Sequence, residues 1–338
     1  MIRSDPPSAF TSAAAVAPAP APASASASAS ASASASASAS ASAPAPAPAS
    51  AHAAAEPAFI TRAPADVAGW VAALNSIDIP VLAATDDTLA ELRCNEDAVD
   101  AHMLADTMVS DPLMTLKLLR HVAALRQGRD QTDPETATEA LVMLGITPFF
   151  RDFGPQPTVE QRLHGQADAL AGLRRVLRRA RRAARFALGF AVHRHDHDAA
   201  LLHEAALLHD FAEMLLWAQA PALALALARR QQAEPGLRSA DAQRALLHTG
   251  LDELQQALMK TWRLPPMLVQ ISCGPPTMPP SQAPVQPQVR IVQLAIRLAR
   301  HSAEGWDNPA LPDDVDEIAA LLHLATQPTL HLLHDLDL

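Results

Sequence analysis

Several features that mark the common enzyme and membrane classes are missing from this 338-residue chain. It has no Gly-rich phosphate loop, no nucleophile elbow and no paired CxxC, which leaves P-loop, serine-hydrolase and thioredoxin-like chemistry without their usual parts. Cys94 and Cys273 are its two cysteines, too few and too far apart for a disulfide framework or a zinc knuckle, so a reducing cytoplasm is expected. Outside an Ala-rich tract interrupted by Ser and Pro, no window holds the ~18 uninterrupted apolar residues of a membrane span. The opening MIRSDPPSAFTSAAAVAP lacks the basic region and apolar block of a secretory signal. Lysine occurs only at Lys117 and Lys260, and the formal charge is −10. Nucleic acid is therefore not an expected partner. No run of β-branched alternation appears, so no sheet is expected.

What is present falls into two regions. Residues 13–56 are almost entirely Ala, Ser and Pro. Alternating Ser weakens the helix that Ala favours, and proline removes donors, so 1–62 is read as a tail that cannot build a core. The remainder, 63–338, has a helical apolar period nearly throughout. It predicts helices over 65–74, 86–92, 96–109, 112–125, 134–144, 167–192, 199–217, 221–232, 240–262, 265–271, 289–302, 313–325 and 329–333. Asp111-Pro112 and Asp133-Pro134 each place a capping carboxylate before a first-turn proline. Leu264-Pro265 and the Pro-rich stretch 273–287 read as breaks. The fold class is all-α.

The polar groups in this apolar background are the candidate sites. His209-Asp210 lies inside AALLHDFAEMLLW. A two-metal hydrolase needs several His and Asp ligands converging from different helices, and adjacent helical residues point about 100° apart, so this pair is no site alone. A buried carboxylate needs a partner, and a structural role for the pair is expected. His203, Asp210 and Glu213 recur at i, i+7 and i+10, which places them along one stripe of the same helix. HRHDHD at 193–198 alternates donors that bind transition metals weakly, but it sits where one helix ends and the next begins, with Asp198 as the expected N-cap. Arg174, Arg175, Arg178, Arg179, Arg181, Arg182 and Arg185 crowd one helix beside an apolar stripe of Leu173, Val176, Leu177, Ala180, Ala184 and Leu188. Guanidinium groups pair bidentately with carboxylate and phosphate, so this cationic face either binds a partner or neutralises an acidic chain locally. His301, His323, His331 and His334 suggest no cluster, and Phe149, Phe150 and Trp217 read as core.

The order of the short blocks is itself informative. Ile79-Pro80-Val81-Leu82, DPLMTLKLLRHVAAL from Asp111, EALVMLGI from Glu139, AALLHDFAEMLLW and ALMKTWRLPPMLV from Ala257 together resemble the HDOD family, the HD-related output domain of bacteria. The resemblance covers roughly 65–335. It implies an N-terminal helical bundle (63–155) packed on an HD-like bundle (156–338), used in signalling as a regulatory or scaffolding module. This chain departs from the pattern at Ala123, where the family has Asn; at Leu251, where it has His; and at ISCGPP, where a His pair is usual. Catalytic HD enzymes carry a further His one helix before the dyad. Alignment places Arg178 there, and a guanidinium has no lone pair for a metal. Ala212 and Glu213 replace Gly-Lys after the dyad. The ligand set is incomplete. The resemblance thus implies a vestigial His209-Asp210 dyad, no metal, no cofactor, and a non-enzymatic protein acting on an unidentified protein partner. The competing readings are a metal-dependent phosphohydrolase on a nucleotide or cyclic dinucleotide, and a nucleotide or nucleic-acid binding regulator using the arginine face.

Overall fold

A computed structural model of the chain describes residues 58–126, 134–273 and 286–337, apart from the side chains of 267 and 271–273. The tail up to residue 57, Asp133 and most of the Pro-rich stretch lie outside the described residues.

Seven helices precede the long one. They are α1 (Val67–Asn75), α2 (Ala83–Arg93), α3 (Ala101–Met108), α4 (Pro112–Leu125), α5 (Ala137–Leu144), α6 (Ile146–Asp152) and α7 (Val159–Arg162). Asp111 starts α4 as expected, its Oδ1 accepting from the amides of Leu113 and Met114. Its other oxygen accepts from Leu82 at the start of α2, so one fully buried carboxylate ties two helix starts together. The expected helix over 96–109 is instead a 3-10 turn, Glu96–Ala98, followed by α3, because Asp100 caps at Met103 and opens a new helix. The helix expected from Pro134 begins at Ala137, where Thr136 caps it through the Glu139 amide. The short α6 and α7 had no sequence expectation. Among the described residues the β pairing is one isolated bridge, Val81 with Thr158.

Ten further helices follow: α8 (Ala167–His193), α9 (Ala199–Leu207), α10 (Phe211–Gln219), α11 (Pro221–Ala233), α12 (Ser239–Leu247), α13 (Leu251–Thr261), α14 (Pro266–Cys273), α15 (Pro287–His301), α16 (Leu311–Leu322) and α17 (Thr326–Leu336). At 27 residues, α8 is about 40 Å long and is the axis against which α9, α10, α11, α15 and α17 pack. Small side chains make this possible: Ala180, Ala183, Ala184 and Ala187 of α8 are buried, as are Ala205 and Ala206 of α9 and Ala295 and Ala299 of α15. Helix axes approach closely where such residues meet, and the larger Phe186 and Phe190 fill the remaining space. The single helix expected over 240–262 is two, separated by His248 with φ +61°. Among the described residues no single helix is long and apolar enough to cross a membrane.

Two contacts move the expected boundaries. Phe59 lies under the Arg162 guanidinium at 4.7 Å, and the Ile60 amide donates to the Gln219 carbonyl at 2.8 Å. The expected tail boundary at 62 therefore falls inside a segment docked on the core. HRHDHD is the turn between α8 and α9, but the Asp198 side chain makes no cap. Asp196 accepts from the Asp198 amide instead, so the local loop outcompetes the cap.

Glu204 ties α9 to α5. From α9 its carboxyl accepts from the Ala137 amide at 2.8 and 3.0 Å, at the first turn of α5. Burial pushes the group up to about 8; the amide bond works against the rise and Glu139 adds to it. The unfolded chain releases this proton near pH 4.5 and the folded chain holds it to about 8. The stabilising contribution is thus complete below pH 4.5 and falls as pH climbs to about 8. Neighbouring His203, lowered to about 4 by burial, acts in the opposite sense and only below its ordinary value of 6.5. Glu204→Gln is expected to flatten the decline in urea-unfolding free energy between pH 6.5 and 8; a slope equal to that of the parent chain would assign it to other groups.

Candidate functional site

The turn at residues 208–210, where α9 gives way to α10, corrects the single helix expected over 199–217. His209 is buried and its Nδ1 lies 2.6 Å from the Ala206 carbonyl. A carbonyl only accepts, so Nδ1 carries the hydrogen. Gln255 of α13 holds the turn from the other side, donating to the His209 carbonyl at 2.7 Å and accepting from the Ala212 amide at 3.3 Å. These side-chain bonds take up backbone groups that a continuous helix would have paired, and that fixes the break.

Asp210 stands at the centre of a charged cluster. Arg179 of α8 donates twice to its Oδ2, at 3.1 and 2.7 Å, and once to Glu213 Oε2 at 2.7 Å. Arg300 of α15 donates to Asp210 Oδ1 at 2.9 Å. Side-chain exposure falls from 53% at Arg300 to 23% at Arg179 and 11% at Asp210. Burial alone would raise the Asp210 carboxyl, but His209, Arg300 and Arg179 outweigh it and hold the group below the usual carboxylate range. Arg179 is raised despite its burial, through Asp210 and Glu213. His209 Nε2 comes within 2.8 Å of Asp210 Oδ2, an ion-pair contact when the ring carries both protons, and it is not aligned as a hydrogen bond. The cluster opens into a cleft of about 380 Å³ that also touches Leu251, Asp252, Gln243 and Ser239.

This geometry corrects three expectations. The residue of α8 that faces the dyad is Arg179 and not Arg178. Arg178 lies on the other side, with Arg181, Arg182, Arg185 and His203 around a second cavity. His203, Asp210 and Glu213 do not form one stripe, because the break at 208–210 sends His203 to that second cavity while Asp210 and Glu213 share Arg179. The seven arginines also differ in their commitments. Arg182 is bidentate to Asp337 at 2.6 Å through both nitrogens and donates to the Ser302 carbonyl, Arg181 donates to the Ser110 carbonyl at 2.6 Å, and Arg174, Arg175, Arg178 and Arg185 are exposed. Arg174 lies 4.0 Å from Glu160 and Arg185 3.9 Å from Asp337.

The HDOD domain model matches residues 79–272, more than half of the chain. The chain belongs to the HDOD family. Solved structures share the fold of this HDOD protein. The MmoQ response regulator from Methylococcus capsulatus is 18% identical, with 76% of this chain and 98% of that chain covered and a TM-score of 0.59. A virulence factor from Campylobacter jejuni is 17% identical, with 76% and 88% covered and a TM-score of 0.54. No curated protein sequence matches it.

The HD superfamily to which HDOD proteins are related implies divalent metal at the dyad, and the residues here do not fit one. Among the described residues no three His, Cys, Asp or Glu side chains gather as a metal-holding group. His209 Nε2 lacks an aligned hydrogen bond but lies 2.8 Å from Asp210 Oδ2, and that carboxylate already carries two guanidinium cations. Unit charges 4 Å apart interact by about 4 kcal/mol at an effective dielectric of 20, and a dication doubles that repulsion for each arginine. The carboxylates that would attract the ion, Asp210 and Glu213, are already ion-paired to those arginines. Leu251, where the family has His, lines the cleft with an apolar side chain. Arg300 and Gln255 escaped the sequence reading: Arg300 is 90 residues from Asp210 and belongs to an ordinary amphipathic helix, and Gln255 has no local signature.

Proposed function

We propose that this HDOD protein is a regulatory scaffold of cytoplasmic signalling that works through protein interaction and has no catalysis of its own. One observation supports the reading above the rest: both oxygens of Asp210 are held by arginines from two other helices, so the dyad's carboxylate serves as a structural counter-ion. Sharing a fold with a response regulator fits a place in signalling. The partner surface is the exposed part of the arginine row on α8, Arg174, Arg175 and Arg178, because these cations carry few commitments within the fold and guanidinium pairs well with acidic side chains.

Reversing those three residues to Glu is expected to abolish capture of a defined protein partner, first from lysate and then with the purified partner, while helical content stays unchanged. Glu and Arg have similar helix propensities and the buried stripe is untouched. Equal recovery of the same partner by the reversed chain would remove α8 from the interface.

A further inference from the structure

The second cavity, about 440 Å³ in volume, lies on the side of α8 away from the dyad. Its floor is Leu207 and the buried His203 of α9, and its far wall is Val109 and Ser110 just before α4. Arg178, Arg181 and Arg185 enter it from α8 at i, i+3 and i+7, one above another along a single stripe. Their states differ. Arg178 makes no hydrogen bond or ion pair among the described residues. Arg181 spends its Nε on the Ser110 carbonyl, leaving the two terminal nitrogens of the fork. Arg185 lies 3.9 Å from Asp337, whose carboxylate is already bidentate to Arg182.

The charge balance is one-sided. Among the described residues no acidic side chain lines the cavity. Asp337 stands at its edge, and Asp111 lies nearby with both oxygens engaged by the amides of Leu82, Leu113 and Met114. Four arginines line it; Arg182 and Arg185 meet Asp337, which leaves Arg178 and Arg181 facing no carboxylate among the described residues, and in a chain of net charge −10 such a concave site is an exception that calls for an anion. The manner in which Asp337 sits on Arg182, two parallel bonds to one fork, shows the geometry this row offers an oxyanion. Two guanidinium groups without a carboxylate, Arg178 and Arg181, call for more than one negative charge, which favours a tetrahedral phosphate over a single carboxylate. The volume lies within the range of small-molecule sites, and among the described residues no Phe, Tyr or Trp lines the cavity.

We propose that this cavity binds a small polyanion of the phosphate or pyrophosphate type, either free or as the head group of a small aliphatic molecule. Held between Arg178 and Arg185 on one side and the Ser110 segment on the other, the anion bridges α8 to the start of α4. Arg178 belongs both to this cavity and to the partner surface proposed above, so the two are separated by Arg174→Glu with Arg175→Glu, which lie outside the cavity and are expected to lower partner capture while leaving anion binding in place.

The test is calorimetric titration of the full chain with sodium pyrophosphate and, separately, with inorganic phosphate and hexyl phosphate. One-to-one binding of pyrophosphate is expected, weakened about tenfold by Arg178→Gln, weakened further by Arg178→Gln with Arg185→Gln, and unaffected by Arg229→Gln on α11. Arg178 is exposed and makes no ion pair or hydrogen bond among the described residues, so its variant keeps the fold and carries the test if the double variant does not. Tighter binding of hexyl phosphate than of phosphate supports an organic ligand that uses Val109 and Leu207, whereas equal binding supports the free anion. Absence of pyrophosphate binding at millimolar concentration, or equal weakening by Arg229→Gln and Arg178→Gln, would overturn the assignment.

Discussion

Asp210→Ala is expected to destabilise the folded chain by about 3 kcal/mol, more than any other single charge removal in the cleft. The carboxylate satisfies Arg179 twice and Arg300 once. Its loss leaves a half-buried Arg179 with Glu213 as its sole carboxylate partner. Breaking a buried pair by removing one member costs roughly 3–5 kcal/mol because the remaining charge stays desolvated; the exposure of Arg300 places the value at the lower end. Asp210→Asn keeps the shape but loses the charge, so an intermediate loss is expected. The pH dependence has a definite sign. Asp210 is held below its ordinary value, so its contribution is present above pH 3.8 and disappears as pH falls below it. Urea unfolding at pH 7 checks the magnitude, and a loss under about 0.5 kcal/mol, the scale of an ordinary surface change, would show that the pairs are incidental.

The second large effect is expected at Gly172 of α8. A Cβ built there would run into the Trp217 indole, meeting Cη2, Cζ3 and Cζ2. Trp217 is buried on α10, and its Nε1 reaches Glu213 at 3.4 Å, one turn from the Arg179 cluster. On helix propensity alone, Gly172→Ala would stabilise the chain by up to about 1 kcal/mol. Overpacking reverses the sign, because a rigid indole cannot fold away as an aliphatic chain does; a net loss on the order of 2 kcal/mol is expected. Trp217→Leu opens space, so Gly172→Ala in that background should become neutral or stabilising. A stabilising Gly172→Ala in the parent chain would mean that α8 and α10 do not pack through this pair.

The sequence makes legible whatever depends on periodicity and caps, and obscure whatever depends on side chains meeting from distant helices. Helix α4 could be read to the residue, since Asp111-Pro112 supplies both a capping oxygen and a fixed φ. The break between α9 and α10 could not, because AALLHDFAEMLLW contains neither Gly nor Pro; the interruption comes from Gln255 and from His209 bonding its own turn. The shift from Arg178 to Arg179 has a similar cause. LRRVLRRARRAARF repeats arginine doublets, and members of a doublet point about 100° apart, so the apolar stripe does not tell which one faces Asp210. Glu204 reads as one more polar residue on a helix, yet its meaning lies 67 residues away at Ala137. Phe59 and Ile60 are two apolar residues after a long featureless tail, and only their contacts with Arg162 and Gln219 bring them into the core.

Elemental analysis of the purified full-length chain, paired with assays on a phosphomonoester and a cyclic dinucleotide, tests most directly the claim that the dyad is an ion-paired structural element. The account predicts no stoichiometric Mn, Fe or Mg and no turnover above background, with His209→Ala and Asp210→Ala changing stability alone. Near-equimolar metal together with turnover that both substitutions abolish would contradict it.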